Sequence, residues 1–373
     1  MKNAFPIHRS AVYAKHGMVA ASQPYAVNAG LKILREGGNA IDAAIATAAA
    51  LAVTEPCSTG LGGDCFLLFY EAKTKKVHAL NGSGRSSTSL TLEKLKRDLG
   101  NTIDPTHPHF VTVPGTAKGW EDAILKWGTK SFYDVLHPAI EIAKNGFPVS
   151  PITSFHWNRG VSKIIAHNDA KRAQDLLSSD TTKGTTPRGP NPGEIFKNPH
   201  MARVLTSLGK NGASKTFYDG PVGQAIVDAV QSAGGALTMD DLRKHRTDFP
   251  DAVKTRYRNI DVWEHPPNGQ GLAALIALAI LNEIDPSTFS SSPSSRLHVL
   301  IESMRLAFAD ARKYVVCSRV MFERILVASF TQITHSFTSL HQLPHSLNST
   351  YAQTLRTRHT SGSNTQVHLR PEF

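Results

Sequence analysis

Arg85 has the sharpest chemical case of any residue in this 373-residue sequence. It ends the run Asn81-Gly82-Ser83-Gly84-Arg85, whose glycines let backbone approach a ligand closely and whose guanidinium can grip a carboxylate through two parallel hydrogen bonds. On the spacing alone, a solvated arginine competes with that role. The run Gly60-Leu61-Gly62-Gly63 could cradle a phosphate, but it follows a helical pattern and precedes a strand pattern. That is the reverse of the order a nucleotide-binding loop needs, so it reads as a tight corner. His107 and His109 have a metal-ligand spacing, yet Pro108 lies between them with no third ligand nearby, which favours an exposed loop. His298 and Glu302 share a helical face, where a polar contact or surface pair competes with a metal site. No Gly-x-Ser-x-Gly elbow occurs and no spacing nominates a Ser-His-Asp triad. The sequence therefore predicts neither a metal centre nor a cofactor.

The elements that must position Arg85 follow from patterning. Ser22-Gln23-Pro24 offers a cap and a first-turn proline for a helix reaching Arg35, stopped by Gly37-Gly38. Asn39 caps a second helix, Ala40 to Val53, which has almost no polar face and must be buried on nearly all sides. After Pro56 and the glycine corner, Cys65 to Glu71 and Val77 to Leu80 read as a hairpin around a lysine-rich turn. Further on, the pattern predicts a strand at Phe110 to Val113 and helices to Trp127 and from Phe132 to Lys144. Helices also follow at Met201 to Leu208, Pro221 to Ser232, Asp240 to Lys244, Leu272 to Glu283 and Arg296 to Tyr314. A strand is expected near Ile260 to Glu264, and Ser178 to Pro199 reads as a long surface loop.

Hydrophobic residues make up 40% of the chain and charged residues 19%, which excludes disordered and fibrous classes. The net charge of +11 is dispersed rather than clustered, since Lys73, Lys75 and Lys76 occupy a turn and Lys94, Lys96 and Arg97 are followed by Asp98. No nucleic-acid partner is expected. Cys57, Cys65 and Cys317 are too few and scattered for a disulfide framework. Met1 to Ser22 holds no apolar signal segment, and the longest apolar run is about half of what a spanning helix needs. The reading is a cytoplasmic protein with no membrane partner.

The blocks around these elements resemble one family in order. Met18 to Pro24, Leu34 to Ala44, and Glu55-Pro56 leading to Gly60-Leu61-Gly62-Gly63-Asp64 are similar to the opening of γ-glutamyltranspeptidases. Asn81 to Arg85, Val113-Pro114-Gly115, Gly146 to Val149, Pro192 to Phe196 and Phe217 to Gly220 continue the likeness. So do Gly234 to Thr238, Pro266 to Gly271 and His298 to Asp310. The resemblance implies an α/β (α+β) fold, the large-subunit part of an N-terminal nucleophile hydrolase αββα sandwich and so incomplete here. It also implies hydrolysis of glutathione and other γ-glutamyl amides, or γ-glutamyl transfer, by a threonine freed through self-cleavage. Arg85 becomes the counterpart of the arginine that binds the glutamyl α-carboxylate.

The resemblance stops at Val315, which divides the chain into a family region, 1–315, and a tail, 316–373. Lys and Asp, common before, are absent from the tail. Val316-Cys317 is encoded as GTNTGY, the form of a splice donor, so the tail is expected to be disordered or intron-derived, with Leu347 to Arg356 resuming a family segment. Thr365 lies near His368, but neither matches the family's nucleophile segment, so no catalytic residue is assigned. The expectation is a truncated chain, inactive by itself, whose partners are a γ-glutamyl small molecule and a separate small-subunit-like chain. The alternative is a non-catalytic polypeptide that binds either one.

Overall fold

The computed structural model describes residues 11–100, 106–167, 174–178, 187–284 and 292–315. In chain order these form α1 (Pro24–Arg35), α2 (Ala40–Thr54), β1 (Cys65–Glu71), β2 (Lys76–Gly82), α3 (Leu92–Leu99), α4 (Thr116–Trp127) and α5 (Phe132–Asn145). Then come β3 (Phe147–Pro148), α6 (Pro151–His167), β4 (Ile195–Phe196), α7 (Pro199–Ala213), α8 (Pro221–Ser232) and α9 (Met239–Arg243). The last elements are β5 (Val253–Tyr257), β6 (Ile260–Glu264), α10 (Gly271–Asn282) and α11 (Pro293–Tyr314). The described strands form three two-stranded sheets, β1 with β2, β3 with β4 and β5 with β6. The described residues fall into two compact units, one of those up to Cys65 with those in Asn81–Asp248, the other of Phe66–Leu80 with those from Phe249 to Val315.

The first unit is mainly helical, built on α1 against α2, α2 against α5 and α5 against α7. Asn39 starts α2 as expected: its side chain accepts from the N–H groups of Ile41 and Asp42, while the Asp42 carboxylate accepts from the Asn39 N–H at 2.8 Å. Ser22 is not the cap of α1. That position falls to Gln23 without a side-chain bond, and the Ser22 hydroxyl donates to Glu55 instead. The core here includes Ile33, Leu136, Leu205, Leu208 and Leu242, none more than 1% exposed. Burying one such side chain stabilises the fold by roughly 1.5–3 kcal/mol.

In the second unit, Val253 faces Glu264 and Tyr257 faces Ile260 in an antiparallel hairpin. Arg258 turns that hairpin in the left-handed region, at φ 53°. Against it lies α10, which packs Ala273 and Ala277 onto Ala307 of α11. The apolar residues that make up α10, Leu272, Ala273, Leu275, Ala277 and Leu281 among them, are accordingly buried.

Two expectations need correction. Phe110 to Val113 is not a strand: Pro108–Phe110 is a 3₁₀ turn, and the Val113 N–H donates across to Arg85 rather than into a sheet. The expected loop Ser178 to Pro199 contains β4, paired with β3, and a bridge between Ser178 and Arg188. The patterning also missed α3, α6 and β5. The tail 316–373 and its Cys317, Thr365 and His368 lie outside the described residues.

Candidate functional site

The site is built from the Asn81–Arg85 loop. Asn81 leaves β2 by exchanging backbone hydrogen bonds with Asp248 at 2.8 and 2.9 Å. Its side-chain oxygen then accepts from the Ser83 N–H at 2.9 Å, and the Gly84 N–H donates to Asp64 at 2.8 Å. The Arg85 carbonyl accepts the Val113 N–H at 2.9 Å, and the Gly63 carbonyl accepts both Gly115 and Thr116 at 3.0 Å. These crossings explain the glycines. A Cβ on Gly84 would stand 1.4 Å from the Val113 carbonyl oxygen, and one on Gly115 would stand 1.9 Å from the Gly82 carbonyl oxygen. The sequence reading expected the glycines to admit a ligand; they admit the chain's own backbone.

On its far side the loop is held by Asp241, itself 5% exposed. Its carboxylate accepts from the Ser87 hydroxyl at 2.8 Å, and from the Thr88 N–H and hydroxyl at 2.9 and 2.7 Å. Thr238 adds its N–H at 3.0 Å and its hydroxyl at 2.8 Å. Burial pushes this carboxyl group upward, but the donors from Thr88, Thr238 and Ser87 outweigh it and hold the pKa at about 2. Asp241 is thus an anion fixing the residues just beyond Arg85.

Arg85 itself stays accessible, 39% exposed, with Nη2 3.5 Å from an Asp248 oxygen; Asp248 is 59% exposed. A tight guanidinium–carboxylate contact is closer to 2.8 Å, so this pair leaves both groups capacity for a ligand. Beside it lies His245, 6% exposed, stacked on Tyr218 at 5.2 Å and 16°. Burial first, and the Arg85 charge second, lower its pKa to about 4, so the ring is neutral near pH 7. Tyr218 donates to the Pro114 carbonyl at 2.7 Å and accepts from the Lys118 N–H at 3.1 Å, tying this stack to the start of α4. Cys65 is pushed up to about 12 by burial and by Asp64 and Asp122, so it remains a thiol rather than a nucleophilic thiolate.

The other sequence candidates fall elsewhere. The glycine run is a corner, closed by the Gly63 N–H to the Gly60 carbonyl at 3.1 Å. His109 is buried rather than exposed, and its ring meets Asp98 at 2.9 Å, while His107 accepts the His109 N–H at 3.2 Å. Glu302, only 13% exposed, pairs with the exposed Arg305 at 2.7 Å along α11. Among the described residues no group of three His, Cys, Asp or Glu side chains is placed to hold a metal ion. Sequence reasoning missed Asp241, Asp248, Tyr218 and His245. Asp241 carried one legible signal, the Thr238-x-x-Asp241 capping box that starts α9.

The chain is 36% identical over 295 residues to a glutathione hydrolase-like proenzyme of Bacillus subtilis, covering 79% of this chain and 54% of that protein. It is 28% identical over 308 residues to the glutathione hydrolase proenzyme of Escherichia coli, covering 82% and 51%. The chain spans about half the length of the curated relatives it matches. Among solved structures, cephalosporin acylase from Bacillus halodurans superposes with a TM-score of 0.77 at 37% identity, over 89% of this chain and 61% of that one. The Helicobacter pylori γ-glutamyltranspeptidase superposes at 0.76 with 25% identity, over 90% and 94%. The fold is therefore of the N-terminal nucleophile hydrolase type. With the family model for γ-glutamyltranspeptidase matching residues 26–368, the chain belongs to the γ-glutamyltranspeptidase family.

Proposed function

We propose that this chain binds the γ-glutamyl group of glutathione or a related γ-glutamyl amide, with Arg85 holding the α-carboxylate. By descent its chemistry is hydrolysis or transfer of that group. The observation that carries the reading is the Arg85 loop: its backbone is pinned by Asp64, Val113 and Asp248, yet its guanidinium remains 39% exposed. A fixed backbone with a partly exposed, loosely paired cationic fork is an arrangement that suits a carboxylate ligand.

In this reading the 373-residue polypeptide binds without turning over by itself. Its buried thiol at Cys65 is held protonated, and the tail threonines have no assigned role. The second reading is a non-catalytic partner for a separate small-subunit-like chain. It is supported by apolar side chains left exposed on β1, namely Phe66, Leu68 and Tyr70, and on α11, including Leu300, Ile301 and Phe308. The three scattered cysteines, with Cys57 and Cys65 unpaired, support a reducing, cytoplasmic setting. No helix among the described residues is long and apolar enough to cross a membrane.

The test is calorimetric titration of glutathione into the full chain, alongside an assay for release from a chromogenic γ-glutamyl amide. Binding that weakens about fivefold or more in Arg85→Ala, without release, supports the proposal. Absence of binding, or equal binding by the variant, overturns it.

A further inference from the structure

The chain on either side of Arg85 is held by one distant segment, residues 236–248. We propose that Asp241 is a positioning residue for Arg85: its buried carboxylate braces the residues that follow the arginine and so fixes the direction from which the guanidinium meets a ligand carboxylate. The proposal rests on the reading of Arg85 given above and adds to it a residue that acts through the loop rather than on the ligand.

Three observations carry it. First, the segment grips the loop at both ends. On one side of Arg85, Asp248 exchanges main-chain hydrogen bonds with Asn81. On the other, Asp241 accepts from Ser87 and Thr88, and the Ala236 carbonyl accepts the hydroxyls of Ser87 at 2.8 Å and Ser89 at 3.2 Å. Arg85 lies between these anchors with its own carbonyl tied to Val113, so its backbone is set while its guanidinium stays accessible. Second, an ionised carboxylate is what the position calls for. Ser87, Thr88 and Thr238 turn hydroxyls and backbone N–H groups toward it as donors. Two charged oxygens accept them all, whereas an amide sets its own NH₂ against some of them. These donors hold the pKa at about 2, so the brace is in place at neutral pH. Third, the Asp241 contacts divide into two sets. Those from Thr238 close the capping box that starts the five-residue helix α9. Those from Ser87 and Thr88 arrive from residues 154 and 153 positions away in sequence, and capping α9 has no use for them. They serve the loop, and a side chain held in place beforehand binds more tightly because less is left to order on binding.

The experiment separates bracing from capping. Dissociation constants are measured calorimetrically for glutathione and for its analogue with 4-aminobutyryl in place of the γ-glutamyl unit, which lacks the α-carboxylate. The proteins are the full chain, Asp241→Asn, Thr88→Val, Thr238→Val and Arg85→Ala. The preference for glutathione over the analogue is the readout, since a general loss of folded protein weakens both probes alike. Asp241→Asn should cut that preference about threefold or more. Thr88→Val, which deletes one loop donor and leaves the carboxylate, should cut it in the same direction. Thr238→Val deletes a capping donor instead and should leave the preference within about twofold of the full chain's. Preference kept within about twofold in Asp241→Asn, or in Thr88→Val where the first variant does not fold, overturns the proposal. So does an equal loss in Thr238→Val, because Asp241 would then act only by capping α9. Arg85→Ala distinguishes the two claims. If it abolishes the preference while Asp241→Asn and Thr88→Val keep it, the Arg85 reading stands and this inference alone falls; if it too keeps the preference, or the full chain shows none, both fall.

Discussion

Asp241→Asn removes one charge from the base of the Arg85 loop and nearly nothing from its volume. In the folded protein the carboxyl titrates at about 2, below its ordinary value of 3.8. A depressed carboxylate pKa contributes stability that is fully present above pH 4 and is lost as pH falls through about 2. The shift corresponds to about 2 kcal/mol at most, and to about 1 kcal/mol once partial solvent screening is allowed for. The same loss can be read from the contacts the amide gives up. Five donor contacts from Ser87, Thr88 and Thr238 converge on two carboxylate oxygens, whereas asparagine offers a single oxygen and turns an NH₂ toward the remaining donors. Leaving buried donors unpaired costs about 1–3 kcal/mol, and because these same contacts lower the pKa the two figures describe one loss of about 1–3 kcal/mol at pH 7. Urea unfolding followed by tryptophan fluorescence, in steps from pH 7 to pH 2, measures this for both proteins. The gap between them should narrow by about 1–2 kcal/mol toward pH 2, as the unmodified carboxylate is protonated. A gap below about 0.5 kcal/mol at pH 7, or one that does not change with pH, would refute the reasoning.

Gly84→Ala should destabilise by about 3 kcal/mol or more, or prevent folding, because the added methyl meets the Val113 carbonyl at 1.4 Å; soluble yield and melting temperature check this. Leu205→Ala, at a fully buried position, should cost about 2–5 kcal/mol in urea unfolding. Leu125→Ala, at a site 75% exposed, should stay within about 0.5 kcal/mol. Replacing Leu300 and Phe308 of α11 with Glu and Lys should lower binding of a hydrophobic dye without lowering the unfolding midpoint, since both side chains are exposed on one apolar face. A dye signal that stays the same would place the exposed apolar surface elsewhere.

What the sequence made legible was local. The Asn39 cap, the nearly apolar body of α2, the proline and glycine limits of α1, the span of α8 and strand β6 are each written in a few neighbouring residues, and the structure places them as read. The failures came where long-range contacts decide. Phe110 to Val113 has strand-like residues, but its hydrogen bonding goes to Arg85, which no periodicity reports. Strand β5, Lys-Thr-Arg-Tyr after a valine, carries too many charges to show alternation until β6 is beside it. At the candidate site, the motif led to Arg85, while Asp248 and His245 come from a segment about 160 residues later whose closeness only folding creates. The glycines were noticed for a sound reason, close approach, but the approaching group was internal backbone.

The most direct measurement of the central claim pairs glutathione with an analogue in which the γ-glutamyl unit is replaced by 4-aminobutyryl, which keeps the amine and lacks the α-carboxylate. Dissociation constants of both are measured for the full chain and for Arg85→Ala. A charge-assisted contact made by a partly exposed guanidinium is worth about 1–3 kcal/mol, or about 5- to 150-fold in affinity. The account predicts that the full chain prefers glutathione by a factor in that range and that Arg85→Ala binds the two compounds alike. A preference of the same size in both proteins would contradict it, because some group other than Arg85 would then be reading the carboxylate.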